Sequence, residues 1–277
     1  MRDYNHEVYQ EAVQEPLEKL EAQGKGKIIE LPEGVLGFQT TDQPTILVTA
    51  CHHAPEIYAT YQAVLNLLET TEAGITAIPV VDVPRFYEIK KSLDQIMRRE
   101  ERLPSHFPQD TIRGYKNADP RVRPWDYGAN DASPLTKDIE RLLKQSGLVV
   151  DLHNSYVDSF FMLTRPTGAQ GEIDFLRTVK DRITQDRPLN DVSMNHHRLE
   201  KGILRGKSET SIIAEAARNK TVNLALEIPV HSPKGYCQLL DFDELTDYTT
   251  NLLHFIITQY ELQLGGNQHE TNNGRAA

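Results

Sequence analysis

The stretch TILVTACHHAPE, from Thr45 to Glu56, decides the fold of this chain. Its first half is a run of apolar and β-branched residues, which is typical of a short buried strand. A helical pattern of apolar residues begins directly after Glu56, so the sequence HHAPE is predicted to lie at a strand-to-helix junction. In open α/β sheets, ligands and catalytic groups collect beyond the carboxyl ends of the strands. The stretch therefore predicts an α/β fold with a functional site at this junction.

An imidazole and a carboxylate stand three residues apart after the predicted strand. His53 and Glu56 can converge on one point from the first turn of a helix, and Pro55 restricts the backbone there. His52 lacks this three-residue step to the glutamate, so the spacing selects His53. A catalytic zinc site usually takes three protein ligands and keeps a fourth position for water. A third ligand must therefore come from elsewhere in the chain.

Two later strand ends supply further polar groups. In LVVDLHNSY, His153 follows a predicted buried strand and is the candidate third ligand, while Asp151 could orient the ligands or a neighbouring loop. In VNLALEIPV, Glu227 ends another apolar strand, where a carboxylate could take a proton from water. Singly, each residue has an ordinary explanation as a helix-dipole carboxylate, a core histidine or an edge charge. Together, in three strand ends, they favour a metal site.

Three segments, HAPE (residues 53–56), DLHNS (151–155) and LEIPV (226–230), carry a resemblance to a known family. In this order they resemble the zinc carboxypeptidase superfamily, and within it the succinylglutamate desuccinylase/aspartoacylase branch. The resemblance covers about residues 26–260. It implies one zinc ion held by His53, Glu56 and His153, with Glu227 as the general base. The steps of 100 residues from His53 to His153 and 74 residues from His153 to Glu227 suit that family's layout.

The chain departs from the family in the segment that grips the substrate. The family usually carries an L-N-R-x-F-P segment whose Asn and Arg bind the substrate carboxylate, whereas this chain has LPSHFP at residues 103–108. The Pro-rich stretch up to Pro134 is predicted to be a long loop that forms the substrate-binding rim. Arg121 and Arg123 in this loop are the predicted anion contacts. Pairing of both arginines with nearby aspartates is an equally open alternative.

The predicted fold class is α/β, as a single three-layer domain with a mixed, mostly parallel central sheet and helices on both faces, like the zinc carboxypeptidases. With 277 residues and 39% hydrophobic content, the chain can bury one large core. The predicted organisation is an N-terminal helical extension at 1–25, a zinc-hydrolase-like α/β domain at 26–264 and a disordered tail at 265–277.

Charge and cysteine content exclude several classes of partner. A net charge of -10 argues against a nucleic-acid partner, because binding of phosphates needs a basic surface. No window approaches the ~20 apolar residues of a membrane span, and the N-terminus lacks a signal-peptide core. The two cysteines, Cys51 and Cys237, are too few for a disulfide framework, and Cys51 is expected to be a buried structural residue. A cytoplasmic protein without a membrane partner is expected, and a homo-oligomer is possible.

The predicted function is zinc-dependent amide hydrolysis. The enzyme would deacylate an N-acyl amino acid or act like a carboxypeptidase on a small peptide, and an anionic small-molecule or short-peptide substrate is expected. Two alternatives stay open. One is an N-formylglutamate amidohydrolase-like enzyme, and the other is a non-catalytic binding or regulatory member of the same fold, suggested by the missing Asn-Arg pair.

Overall fold

A nine-stranded mixed sheet lies at the centre of the residues that the structure describes. The structure, a computed structural model, describes residues 7–52, 57–83, 127–155, 160–186, 197–200, 203–206, 209–230 and 240–265, together with Phe86 and Lys90. The strands are β1 (Lys27–Glu30), β2 (Leu36–Gln39), β3 (Ile46–Ala50), β4 (Ile75–Ile78), β5 (Leu148–Ser155), β6 (Phe161–Thr164), β7 (His197–Glu200), β8 (Ile203–Gly206) and β9 (Val222–Pro229).

The middle of the sheet is parallel, and each flank joins it through an antiparallel pair of strands. The spatial order is β1-β2-β4-β3-β5-β9-β6-β8-β7. Strands β4, β3, β5 and β9 run in one direction. On one side β2 is antiparallel to β4 and forms an antiparallel hairpin with β1, and on the other side β6 is antiparallel to β9. This arrangement confirms the predicted mixed sheet with a parallel centre, and it brings the carboxyl ends of β3, β5 and β9 to one edge.

Helices cover both faces of the sheet. They are α1 (Glu15–Ala22), which continues a π-helical segment (Gln10–Gln14), α2 (Thr60–Thr70), α3 (Pro134–Gln145), α4 (Gln170–Asp186), α5 (Ile212–Arg218) and α6 (Phe242–Gln263). The apolar residues of α1, α2, α4 and α6 form one core with the first face, and those of α3 and α5 form a second core with the other. The predicted three-layer architecture is confirmed.

The register of the central strands decides which side chains share a face. Successive residues of a strand point to opposite faces, and residues paired across parallel strands point to the same one. Val149 of β5 packs in the core under α3 and α5, so Asp151 and His153 lie on that face as well. Glu227 of β9 is paired with His153 and shares the face. The predicted ligand and the predicted base are therefore neighbours on the α3/α5 side.

Two local features differ from the sequence-based expectation. The helix expected directly after Glu56 begins only at Thr60, because its N-cap residue Ala59 adopts a left-handed, non-helical conformation (φ 63°). Residues 197–206, for which the polar sequence predicts no element, contain the β7-β8 hairpin at the edge of the sheet. Within the described residues, no helix combines the length and the apolar character needed to cross a bilayer.

The N-terminal helix packs tightly on the sheet domain. Val13, Leu17 and Leu20 are at most 1% exposed and belong to the first core. Their spacing of four and three residues puts them on one face of the helix. The division into an N-terminal extension, a main domain and a tail stays a prediction.

Candidate metal centre

The carboxyl end of β5 presents a carboxylate and an imidazole on the same face. Asp151 and His153 are two residues apart, and Oδ2 of Asp151 lies 2.6 Å from Nε2 of His153. The other oxygen, Oδ1, lies 2.8 Å from Nδ1 of His52, although this contact is not aligned as a straight hydrogen bond. The imidazole rings of His52 and His153 are stacked, with centroids 6.0 Å apart. One carboxylate thus lies between two histidines.

Asp151 is a buried, ionised carboxylate. Its side chain is 3% exposed, and it also accepts a hydrogen bond of 2.7 Å from the hydroxyl of Thr49 on β3. Burial alone would raise the pKa of Asp151, but the neighbouring His153 and His52 outweigh burial and hold that pKa well below its usual range. The site therefore keeps a fixed negative charge beneath the two imidazoles.

A tyrosine extends this group on the far side of His52. The hydroxyl of Tyr127 lies 2.7 Å from Nε2 of His52, and both side chains are buried. Burial, followed by the charges of Asp151 and Glu140, raises the pKa of Tyr127 well above its ordinary value, so its hydroxyl stays protonated. Tyr127, His52, Asp151 and His153 form a continuous row of polar contacts inside the molecule. We call it the buried relay.

A sharp backbone turn at Cys51 directs His52 into the interior. Cys51 follows β3 directly and has a left-handed φ of 53°, which is unusual for a residue with a side chain. Its carbonyl accepts a hydrogen bond from Asp82, and its Sγ lies 3.3 Å from the hydroxyl of Thr60. As expected from the sequence, Cys51 is a buried residue. The contacts with Asp82 and Thr60 hold this turn in place, and the turn determines the orientation of the His52 side chain.

Glu227 lies beside His153 on the neighbouring strand. The two residues are paired in the parallel β5-β9 ladder, whose strands are about 4.8 Å apart. On its other side Glu227 is paired with Phe161 of the antiparallel strand β6. Because Glu227 is only half-buried, its carboxylate can reach solvent at this edge. A partly exposed carboxylate next to a histidine suits a group that exchanges protons with water.

Asn154 fastens the chain segment that follows Glu56. Its side chain points to the face opposite His153 and is 3% exposed. Its Oδ1 accepts a hydrogen bond from the backbone N–H of Tyr58, and its Nδ2 donates to the carbonyls of Tyr58 and Ile228, at 2.9, 3.0 and 3.4 Å. One amide therefore ties the segment before α2 to the ends of β5 and β9.

Of the predicted site residues, the structure brings together His153 and Glu227. His53, Glu56, Arg121 and Arg123 lie outside the described residues, so their roles stay predictions. The sequence-based reasoning set His52 aside because only His53 has the three-residue step to Glu56. It missed Tyr127 because the contact of Tyr127 with His52 joins residues 75 positions apart. The period of two along β5 is a usable signal for Asp151, since it places Asp151 and His153 on one face.

The donor set is chemically suited to a metal ion. His52, Asp151 and His153 offer ligand atoms within 4.8 Å of one another and could hold one ion. Imidazole nitrogen and carboxylate oxygen are usual ligands of zinc. In addition, His153 donates Nε2–H to Asp151, which leaves Nδ1 as its lone-pair nitrogen. This carboxylate-histidine pairing is the usual support of a metal-binding histidine.

Solved structures of metallopeptidases resemble this architecture. A provisionally assigned metallopeptidase from Shewanella baltica OS155 superposes with a TM-score of 0.62 at 15% identity, covering 88% of this chain and 90% of that chain. A provisionally assigned carboxypeptidase A from Shewanella denitrificans OS-217 gives 0.61 at 14%, covering 90% and 68%. A metallo-carboxypeptidase from Pseudomonas aeruginosa, solved with (2-guanidinoethylmercapto)succinic acid, gives 0.58 at 10%, also covering 90% and 68%.

The chain has the metallocarboxypeptidase fold. Neither a protein-family profile nor a curated protein matches its sequence. The resemblance to the zinc carboxypeptidase superfamily is thus confirmed at the level of the fold, whereas the desuccinylase/aspartoacylase branch stays a prediction. Within the metallocarboxypeptidase fold of this chain, the carboxyl ends of β3, β5 and β9 carry His52, His153 and Glu227 to one edge.

Proposed function

We propose that this protein is a zinc-dependent amide hydrolase. The observation that carries the proposal is the pairing of His153 and Glu227 on adjacent strands, with Asp151 bonded to His153, within a metallocarboxypeptidase fold. A histidine backed by a buried carboxylate suits a metal ligand, and a half-exposed glutamate beside it suits a general base.

The ligands we propose are His53, Glu56 and His153, the last through Nδ1. This set gives three protein ligands and keeps one position open, as catalytic zinc sites do. Bound zinc would supply Lewis-acid chemistry, polarising the amide carbonyl and lowering the pKa of water. The clamp of Asn154 on Tyr58 supports the assignment, because it anchors the backbone two residues after Glu56 to the strand that bears His153.

Glu227 is the proposed general base and acid. It takes a proton from the attacking water, whose oxygen forms a bond to the carbonyl carbon of the substrate amide. Glu227 then gives this proton to the leaving nitrogen as the C–N bond breaks, which produces a carboxylic acid and an amine. Its place next to His153, at a solvent-accessible edge, supports this assignment, because a substrate bound at the proposed metal would lie close to the carboxylate.

The proposed substrate is a small anionic amide, either an N-acyl amino acid or a short peptide. Arg121 and Arg123 are the proposed contacts for its negative charge. The Pseudomonas aeruginosa protein of the same fold was solved with a succinic acid derivative, which is also a small anionic molecule. The absence of the family's Asn-Arg pair in LPSHFP favours a different anion contact in this chain.

The substitution Glu227→Gln tests the proposal. It keeps the shape of the side chain but removes the base, so turnover should fall by about 10²- to 10⁴-fold. The zinc content of the purified variant, measured by elemental analysis, should stay at one ion per chain. Unchanged turnover in Glu227→Gln would rule out the role as base.

The substrate class requires a separate panel. N-acyl amino acids, N-formyl amino acids and dipeptides should be compared at equal concentration with the wild-type protein. Preference for N-formyl compounds would select the N-formylglutamate amidohydrolase-like alternative. A protein without bound zinc and without chelator-sensitive hydrolysis would instead be a non-catalytic member of the fold, as the missing Asn-Arg pair suggests.

A further inference from the structure

We propose that His52 is a positioning residue that, held by Tyr127, orients Asp151 against the metal-binding His153, and that His52 itself does not bind the metal. The proposal rests on the proposed function, because it assigns a role within the same zinc site. It concerns the buried relay from Tyr127 to His153, whose four side chains all belong to the described residues.

Neither ring nitrogen of His52 has a lone pair available for a metal ion. Nδ1 of His52 faces the carboxylate of Asp151 at 2.8 Å, and a lone pair facing a negative charge is repelled. Nδ1 therefore carries a hydrogen. If Nε2 is unprotonated, its lone pair accepts the hydroxyl hydrogen of Tyr127 at 2.7 Å, and if Nε2 is protonated it has no lone pair. In either protonation state, His52 has no lone pair to offer a metal ion.

The distances from Asp151 to the two histidines are shorter than the spacing of ligands on a zinc ion. Two ligands of a tetrahedral zinc ion, each at about 2.0–2.1 Å from the metal, are roughly 3.3 Å apart. The nitrogen-oxygen distances from Asp151 to the two histidines are only 2.6 and 2.8 Å, which is the spacing of a hydrogen bond. Both distances are shorter than the spacing of two ligands on one zinc ion. Asp151 therefore supports His153 from behind, and His153 would bind a metal ion through Nδ1.

Backbone hydrogen bonds anchor Tyr127 and the residue that follows it. Its backbone N–H donates to the carbonyl of Thr210, and its carbonyl accepts from Nη2 of Arg218, at 3.0 and 3.2 Å. The next residue, Gly128, has a φ of 79° and donates to Oε1 of Glu140. Residues with a side chain rarely adopt this φ, so glycine is favoured at position 128. Tyr127 is thus fixed by Glu140 of α3, by Thr210 just before α5 and by Arg218 at the end of α5.

The fixed hydroxyl of Tyr127 determines the orientation of the other side chains in the buried relay. Tyr127 holds His52, and His52 and Thr49 both contact Oδ1 of Asp151. The carboxylate cannot rotate freely, and Oδ2 stays directed at Nε2 of His153. This fixes the tautomer of His153 that presents Nδ1 to the metal. Partners behind a metal-binding histidine typically change metal affinity by roughly 10- to 100-fold when they are removed.

The test compares His52→Asn and Tyr127→Phe with His153→Ala. Tyr260→Phe serves as a matched control, because Tyr260 is also a buried tyrosine but lies on α6 in the other core. The zinc dissociation constant of each folded variant is measured by competition with a chromophoric chelator. The visible spectrum of each cobalt(II)-substituted protein then reports the number of ligands.

A positioning role predicts graded losses of affinity. His52→Asn should bind one zinc about 10- to 100-fold more weakly than wild type, and Tyr127→Phe should weaken binding in the same direction by a smaller factor. The cobalt absorption of both variants should keep the wild-type intensity, since the ligands are unchanged. Tyr260→Phe should bind zinc like wild type, and His153→Ala should lose zinc. A packing role alone would lower thermal stability without moving the zinc affinity of the folded protein.

Other results would overturn the proposal. Loss of zinc or of cobalt intensity in His52→Asn, as in His153→Ala, would make His52 a ligand. Wild-type affinity in both His52→Asn and Tyr127→Phe would remove the positioning role. If His52→Asn does not fold, Tyr127→Phe decides alone, and an unchanged zinc affinity then rejects the relay. A wild-type protein that binds no zinc would overturn the proposed function as well, which distinguishes the two failures.

Discussion

At the scale of single residues, the candidate site contains side chains that other residues of the folded chain hold in place. Asp151 illustrates the point, because its two oxygens contact Thr49, His52 and His153 inside the molecule. A buried carboxylate with several partners does not need to reorganise when charge develops nearby. Glu227 differs, since it is half-exposed and can exchange its proton with water.

A second buried residue, Tyr9, is expected to make the free energy of unfolding depend on pH in the alkaline range. Burial raises its pKa to about 12, although its oxygen accepts a hydrogen bond of 3.0 Å from the backbone N–H of Leu36. The unfolded chain releases this proton near pH 10, whereas the folded chain keeps it until about pH 12. The unfolded state therefore binds fewer protons between these values, and stability falls as pH rises.

Tyr9→Phe is predicted to remove this part of the alkaline destabilisation. Between pH 9 and pH 11.5, the free energy of unfolding of wild type should fall by about 2 kcal/mol more than that of Tyr9→Phe. Urea unfolding at the two pH values measures this difference. At pH 9 the variant should already be less stable by about 1–2 kcal/mol, because the Leu36 N–H loses its acceptor. An equal alkaline loss in both proteins would contradict the assigned role of Tyr9.

At the scale of elements, the ends of three strands are joined by side chains as well as by the sheet. Asn154 connects the end of β5 to the end of β9 and to the segment that leads into α2. Removing this amide leaves the N–H and carbonyl of Tyr58 without their partner in the interior. The geometry of the predicted HxxE ligands should depend on this connection.

Asn154→Ala is predicted to lower the free energy of unfolding by about 2–4 kcal/mol, since buried polar groups lose their hydrogen bonds. Chemical denaturation measures this change. Hydrolytic activity should fall more steeply than the folded fraction, because the proposed ligand segment is no longer anchored. Asn251→Ala, on the exposed face of α6, is the matched control and should change stability by less than about 0.5 kcal/mol. Comparable effects of the two substitutions would argue against the clamp.

The elements show which parts of the fold are readable in the sequence. Strands β3, β5 and β9 and helices α3 and α6 are predictable, because their apolar periodicity and capping residues Ser133 and Asp241 agree with their structure. The β7-β8 hairpin is not, since an edge strand needs little apolar content. The apolar stripe of α1 and the π-helical segment before it consists of Val13, Leu17 and Leu20 and is obscured by surrounding charges. The buried relay joins distant parts of the chain, so no local pattern reveals it.

At the scale of the whole molecule, the candidate site unites separate parts of the chain. His153 and Glu227 lie on β5 and β9, and His52 follows the end of β3, so the sheet brings all three to one edge. A ligand bound only by the folded state stabilises it by RT ln(1 + [L]/Kd). Zinc held by the proposed ligands would therefore act as a cross-link between residues about one hundred positions apart.

Removal of zinc is predicted to destabilise the entire domain. A chelator should lower the free energy of unfolding by about 4 kcal/mol if free zinc is a thousand-fold above its dissociation constant. Differential scanning calorimetry of the treated and untreated protein measures this loss, and added zinc should restore the original midpoint. In His153→Ala, the chelator should have no effect on the midpoint. A wild-type midpoint that does not respond to the chelator would show that zinc is absent from the folded protein.

The left-handed backbone at Cys51 has a consequence for engineering heat resistance. Glycine adopts this conformation without strain, whereas a residue with a β-carbon is disfavoured by roughly 1–2 kcal/mol. A glycine at position 51 would relieve the backbone strain of this turn. It would also hold the orientation of the His52 imidazole less firmly. Glycine at position 51 would then favour thermal stability, whereas cysteine would favour the catalytic rate.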